Sequence, residues 1–223
     1  MSVRAAPHPV LIGESPALRE LRRTVELAAA TDVPVLLLGE TGTGKSLVAR
    51  LVHARGPRRE RPFVAINCAA LPESLFESEL CGHRKGAFTG AHEDRAGLLE
   101  TGHRGTVLLD EVGDLPGAQQ AKLLTVLEEG EVRPVGARRP VAVDVRIVSA
   151  TSFPLERRIE ERSFRIDLYN RLALLTLRLP PLHECPSDVP LLAAHFLRGA
   201  SRRHRLSTPR LEQATLAVLA AHP

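Results

Sequence analysis

No stretch of the 223-residue chain approaches the roughly 18 uninterrupted apolar residues of a membrane-spanning helix, which excludes a membrane span. Met1 to Pro9 holds Arg4 but no apolar segment, so no secretory leader is expected. Cysteine is scarce: Cys68, Cys81 and Cys185 are odd in number and widely spaced. That excludes a disulfide framework and points to a reducing, cytoplasmic compartment. Internal repeats and low-complexity segments are absent. Hydrophobic residues at 43% and charged residues at 25% exclude wholesale disorder. The length suits one α/β domain, alone or with a small appendage.

Lysine is scarce too, occurring only at Lys45, Lys85 and Lys122, so arginine carries most of the positive charge. Lys+Arg 30 against Asp+Glu 26 gives a net charge of +4. The arginines are spread along the chain, with local clusters only at Arg198 to Arg205 and Pro57 to Arg61. A solvated arginine-rich surface accounts for this better than a nucleic-acid site, for which a concentrated basic face is the footprint. The nine histidines do not cluster, and His8, His92 and His103 have no metal-ligand spacing.

Ser15-Pro16 followed by Leu18, Leu21, Val25 and Leu27 predicts a capped amphipathic helix. Val33 to Leu38 is a short, almost continuous apolar run ending at Gly39, as expected of a strand buried on both faces of a parallel sheet. A helix should follow over 45–54. Phe63 to Ile66, Thr106 to Leu109, Val145 to Val148 and Leu174 to Leu179 read as further strands, and Leu115 to Glu129 as a helix between them. Alternating strands and helices predict an α/β fold with a five-stranded parallel sheet. Beyond Pro180-Pro181 the pattern becomes helical only, at Val189 to Leu197 and Leu211 to Ala221. Three segments are expected: a tail over 1–10, an α/β nucleotide-binding unit over 11–180, and a small, incomplete helical unit over 181–223.

Gly39-Glu40-Thr41-Gly42-Thr43-Gly44-Lys45-Ser46 fits the phosphate-binding P-loop. Its glycines let successive N–H groups turn toward phosphate oxygens, and the following helix adds its positive N-terminal end. Lys45 should reach the β- and γ-phosphates of ATP, and the Ser46 hydroxyl should ligate Mg²⁺. Thr106-Val107-Leu108-Leu109-Asp110-Glu111 is an apolar strand ending in two acids. Downstream of a P-loop these suit a Walker B site, with Asp110 in the Mg²⁺ shell and Glu111 polarising the attacking water. Together they indicate nucleotide hydrolysis.

Gly86-Ala87-Phe88-Thr89-Gly90-Ala91 sets an aromatic at the tip of a loop of small residues. Phe88 is either exposed there for contact or tucked back against a glycine-rich turn. The GAFTGA string is unbroken, and the segment from Asn67-Cys68-Ala69-Ala70-Leu71-Pro72 to Glu79-Leu80 accompanies it. In these residues the chain resembles the AAA+ domain of bacterial enhancer-binding proteins, the sigma-54-dependent activators of the NtrC type, from about Leu11 to its end. The resemblance implies that Gly86 to Ala91 engage sigma-54, with Phe88 and Thr89 at the contact, and that Val135-Gly136 form a second loop moving with the first. It implies that Asn67 is a switch residue paired with the catalytic Glu111. Ser152 takes the sensor position, and Arg165 and Arg171 are arginine fingers supplied to a neighbouring subunit of a ring, most often a hexamer. By spacing alone both arginines read as surface residues.

The chain departs from the family pattern at several positions. Ser46 replaces an acid after the P-loop lysine, Cys81 replaces Phe, Arg84 replaces Glu, and Arg104 replaces Gly. Ser152 stands for the commoner Asn, and His183 and Cys185 interrupt an arginine-rich run. Nothing matches the family's sensor II helix, its receiver or its helix-turn-helix, so the reading expects an excised core or a natural loss of those parts, without DNA binding. The expected function is an ATPase that remodels sigma-54 RNA polymerase. The alternative is a nucleotide-binding regulatory remnant with little or no hydrolysis for want of sensor II. A generic P-loop kinase leaves the GAFTGA loop and both arginines without a role.

Overall fold

The computed structural model describes residues 9–221; most of the expected tail over 1–10 lies outside them. In chain order the elements are α1 (Pro16–Ala29), β1 (Val35–Leu38), α2 (Lys45–Ala54), β2 (Phe63–Asn67), α3 (Glu73–Cys81), β3 (Gly82–His83), β4 (Arg95–Ala96), α4 (Leu98–Thr101) and β5 (Thr106–Asp110). There follow α5 (Gly117–Glu129), β6 (Glu131–Val132), β7 (Val141–Ala142), β8 (Arg146–Thr151), α6 (Leu155–Glu160), α7 (Ile166–Leu172), β9 (Leu175–Arg178), α8 (Val189–His204) and α9 (Gln213–Ala220).

Five strands form a parallel sheet in the order β2-β5-β8-β1-β9. The three inner strands are buried along almost their whole length, which is why they read as continuous apolar runs. Alternation divides their side chains between two faces. Leu36, Leu38, Val107 and Leu109 pack with Phe76 and Leu80 of α3, Leu123 of α5 and Leu168 of α7. Val35, Leu37, Leu108 and Val148 pack on the other face with Leu21 and Val25 of α1 and Val48 and Leu51 of α2. Each fully buried Leu or Val side chain contributes about 1.5–3 kcal/mol to this sandwich.

Helix α1 begins as its sequence dictates, with Ser15 accepting a hydrogen bond from the Leu18 N–H and Pro16 in the first turn. Its buried stripe is Leu21, Val25 and Ala28, at three- and four-residue spacing; Leu27 falls off that stripe and is exposed. Two small antiparallel ribbons, β3-β4 and β6-β7, stand beside the main sheet. No strand follows Arg178 among the described residues. A long-range tie joins the start of α1 to the turn before α8: the Asp188 carboxylate accepts from the N–H groups of Glu14 (2.5 Å) and Ser15 (2.8 Å) and from the Ser15 hydroxyl (2.5 Å).

The four segments expected to carry chemistry all lie at the carboxyl ends of parallel strands. Gly39 follows β1, Asn67 ends β2, Asp110 ends β5 with Glu111 directly after it, and Ser152 follows β8. Because β8 lies between β5 and β1, Ser152 stands next to both the acids and the glycine turn.

Candidate active site

The glycine turn is demanded by backbone angle rather than by crowding. Gly42 and Gly44 have φ of 90° and 93°, a left-handed region that other residues enter only with strain. A Cβ at Gly42 would meet nothing within 4 Å, so the turn is an open cradle. Lys45 starts α2 and is buried. Its ammonium donates to the carbonyls of Gly39 (2.8 Å) and Glu40 (3.3 Å) and lies 3.3 Å from Glu111 Oε1. Thr43 donates its hydroxyl to Glu40 O at 2.8 Å, bracing the turn. Thr41, Gly42, Gly44, Lys45, Ser46, Asp110 and Glu111 line a cavity of about 300 Å³.

Ser46 Oγ donates to Asp110 Oδ2 at 3.0 Å. A hydroxyl and a carboxylate side by side form a hard-oxygen pair that fits Mg²⁺, which takes few protein ligands and shares phosphate oxygens. No cluster of three or more His, Cys, Asp or Glu suited to a metal exists among the described residues, so any ion here draws other ligands from nucleotide or water.

Glu111 is the strained residue of the site. Its φ of 52° and ψ of 47° place a non-glycine residue in the left-handed region, at a cost on the order of 1–3 kcal/mol. The turn aims its carboxylate at Ser152, whose N–H and hydroxyl both donate to Oε2 at 2.9 Å. Burial alone would raise the Glu111 carboxyl; the Ser152 donors and the Lys45 ammonium outweigh it and hold the group below the usual carboxylate range. Glu111 is thus an anion at neutral pH.

Asn67 does not make the expected pair with Glu111. Its side-chain oxygen accepts from the N–H groups of Ala69 (3.0 Å) and Ala70 (3.3 Å), capping the 3-10 turn that follows β2. Asn67 is in register with Asp110, one residue before Glu111, but a local cap holds the amide. Arg165 and Arg171 stand outside the phosphate cavity. Arg165 is exposed and forks onto Asp167 (3.0 and 2.7 Å), while Arg171 reaches Leu127 O at 3.1 Å.

The Gly86–Ala91 loop closes on itself through Gly86 N–H to Ala91 O (2.9 Å) and Ala91 N–H to Phe88 O (3.0 Å). Gly86 (φ 80°) and Gly90 (φ 103°) supply the reversals. Phe88 is 40% exposed, with its ring edge-on to His83 at 5.0 Å, so it is neither bare nor part of the core. His83 is buried and shares a 2.8 Å hydrogen bond with Ser78. No sequence motif marks Asp94, yet it ties the loop's base by accepting from the Arg84 guanidinium (2.9 Å) and the Lys85 N–H (2.7 Å). The second loop is joined to the first: Arg84 N–H donates to Val135 O, and a Cβ on Gly136 would sit 2.9 Å from Ala87 Cβ.

A larger cleft of about 820 Å³ lies beyond Gly39-Glu40, but Glu20, Glu40, Glu156 and Glu184 line it, which suits a polyphosphate poorly. Burial and the nearby carboxylates push the Cys68 thiol up to about 12, and burial pushes Cys81 up to about 11, so neither supplies a thiolate. Among the described residues no helix is long and apolar enough to cross a membrane.

Residues 11–178 match the model of the sigma-54 interaction domain. The chain belongs to the sigma-54 interaction domain family. This sigma-54 interaction domain is 50% identical over 201 residues to the response regulator protein PilR of Pseudomonas aeruginosa, covering 90% of the chain and 45% of that protein. It is 47% identical over 213 residues to the DNA-binding transcriptional regulator NtrC of Rhizobium meliloti, covering 96% and 44%. The chain therefore spans about half the length of the curated relatives it matches. The crystal structure of NtrX from Brucella abortus in complex with ATP is 36% identical, with a TM-score of 0.89 over 96% of this chain and 46% of that one. The fold is that of a P-loop AAA+ domain: a five-stranded parallel sheet with flanking helices.

Proposed function

We propose that this sigma-54 interaction domain hydrolyses ATP and uses the resulting motion of its Gly86–Ala91 loop to remodel sigma-54 RNA polymerase for transcription initiation. The observation that carries the reading is the meeting of Lys45, Glu111 and the Ser46–Asp110 pair around one small cavity beneath a glycine turn. Family membership and the unbroken GAFTGA string support the choice of sigma-54 as partner.

In this reading the triphosphate lies against the N–H groups of the turn and the N-terminal end of α2. Residues 11–180 serve as the nucleotide-binding unit and the helical segment from 181 onward as its lid. Lys45 exchanges its carbonyl partners for the β- and γ-phosphate oxygens. Ser46 and Asp110 hold Mg²⁺, which when bound neutralises charge on the phosphates. Glu111 takes a proton from the attacking water as its oxygen bonds the γ-phosphorus; the bond to the bridging oxygen breaks, and ADP leaves with that oxygen. Arg165 and Arg171 of a neighbouring copy in a ring stabilise charge on the transferring phosphoryl group, a role for which a planar guanidinium is suited. Their exposure and their absence from the lining of their own chain's cavity support action in trans.

Capture of purified sigma-54 by the domain, trapped with ADP and a metal fluoride that mimics the transferring phosphoryl, tests the proposal. The unmodified chain should hold sigma-54 only in the trapped state. Phe88→Ala should lose capture while still binding ATP. Equal capture by Phe88→Ala would overturn the assignment of the loop.

A further inference from the structure

The partner of Glu111 is not the one its family resemblance leads one to expect. Asn67 is occupied by its own cap on Ala69 and Ala70, whereas Ser152 grips Glu111 Oε2 with both its N–H and its hydroxyl at 2.9 Å. Lys45 completes the arrangement on Oε1, and the same ammonium also donates to Gly39 O and Glu40 O. All three ammonium protons are therefore engaged within the protein. An incoming γ-phosphate must draw Lys45 away from Glu111, which leaves Ser152 as the remaining restraint on the carboxylate. The carboxylate's two oxygens are thus divided between one group that ATP recruits and one that it does not.

We infer that Ser152 is a positioning residue, a latch whose hydroxyl holds Glu111 in a resting orientation that must be released before the carboxylate can act on water. The inference rests on the ATPase reading above but differs from a γ-phosphate sensor at the same position in sign. A sensor contributes in the transition state, so its removal slows turnover. A latch stabilises the resting state, so its removal speeds turnover. The direction of the change separates the two.

The test measures steady-state hydrolysis of Mg-ATP by the full chain at protein concentrations where the rate per subunit has levelled off. Removing one hydrogen bond donated to a carboxylate corresponds to about a tenfold to hundredfold change. Ser152→Ala should therefore raise kcat by about that factor with KM for ATP unchanged, and Ser152→Thr, which keeps the hydroxyl, should return kcat toward the starting value. A fall in kcat, or no change, would overturn the latch. A second measurement needs no nucleotide: urea unfolding of Ser152→Ala, Glu111→Ala and the double variant should give non-additive shifts, and strict additivity would also overturn it. Glu111→Gln separates this failure from failure of the hydrolysis reading itself, because wild-type turnover in that variant would remove Glu111 from the reaction altogether.

Discussion

Lys45 and Glu111, 66 residues apart in the chain, meet with their charged atoms 3.3 Å apart at the carboxyl ends of β1 and β5. The ammonium that should bind phosphate and the carboxylate that should activate water neutralise each other in this arrangement. A triphosphate would compete with Glu111 for one of the three ammonium N–H bonds, the other two going to the Gly39 and Glu40 carbonyls, and would leave Ser152 as the remaining partner of the carboxylate.

Lys45→Ala removes those donors and should weaken ATP binding by about tenfold to a hundredfold, the range of one or two charge-assisted hydrogen bonds. Titration with a fluorescent ATP analogue measures it. Because the ammonium is also one of the groups that keep Glu111 below the usual carboxylate range, the variant's Glu111 carboxyl should titrate at higher pH.

Arg165→Ala and Glu111→Gln should each be nearly inactive alone, with the arginine change costing about 10³–10⁵ in rate as measured for other arginine fingers. Mixed, they should recover part of the activity, since one subunit's intact Arg165 can serve a neighbour's intact Glu111. Turnover in a titration of one variant into the other checks this; an inactive mixture would place the arginine in cis.

Arg104 holds a φ of 60° while its N–H donates to Asp144 O at 2.6 Å. Glycine keeps the hydrogen bond and relieves the left-handed strain, offset by its greater flexibility in the unfolded chain. Arg104→Gly should stabilise the fold by up to about 1 kcal/mol, a rise of about 2–4 °C in Tm by calorimetry.

Asp188→Ala leaves the buried Ser15 hydroxyl and N–H without their acceptor and should cost about 1–3 kcal/mol at neutral pH. Burial alone would raise the Asp188 carboxyl, but the Ser15 hydroxyl and the N–H groups of Glu14 and Ser15 lower it further than burial raises it. A depressed folded value means the stabilisation is complete above the unfolded aspartate value of about 3.9 and is lost as pH falls through the folded one. The stability gap between wild type and variant, followed by urea unfolding, should therefore narrow below about pH 4.

What the sequence disclosed was what short segments decide. The P-loop is legible because glycine angles, lysine and serine act within eight residues, and β1, β5 and β8 are legible because burial on both faces forces continuous apolar runs. Contacts made between segments are not legible in that way. Ser152 reaches Glu111 across 41 residues through the adjacency of β5 and β8, which no local pattern announces. Asn67 has a matching position, yet an amide two residues before a free N–H caps its own turn first. Arg146 shows the same limit in the core: in an arginine-rich chain it reads as surface, but it is 2% exposed and donates to Ala28 O at 2.6 Å, tying β8 to the end of α1.

An ATPase completed between subunits should show a rate of ATP hydrolysis per subunit that climbs steeply across a wide protein-concentration series and collapses in Arg165→Ala. A flat rate at every concentration, or one that Arg165→Ala leaves unchanged, would contradict it; ATP bound without turnover would leave a nucleotide-binding module in place of a motor.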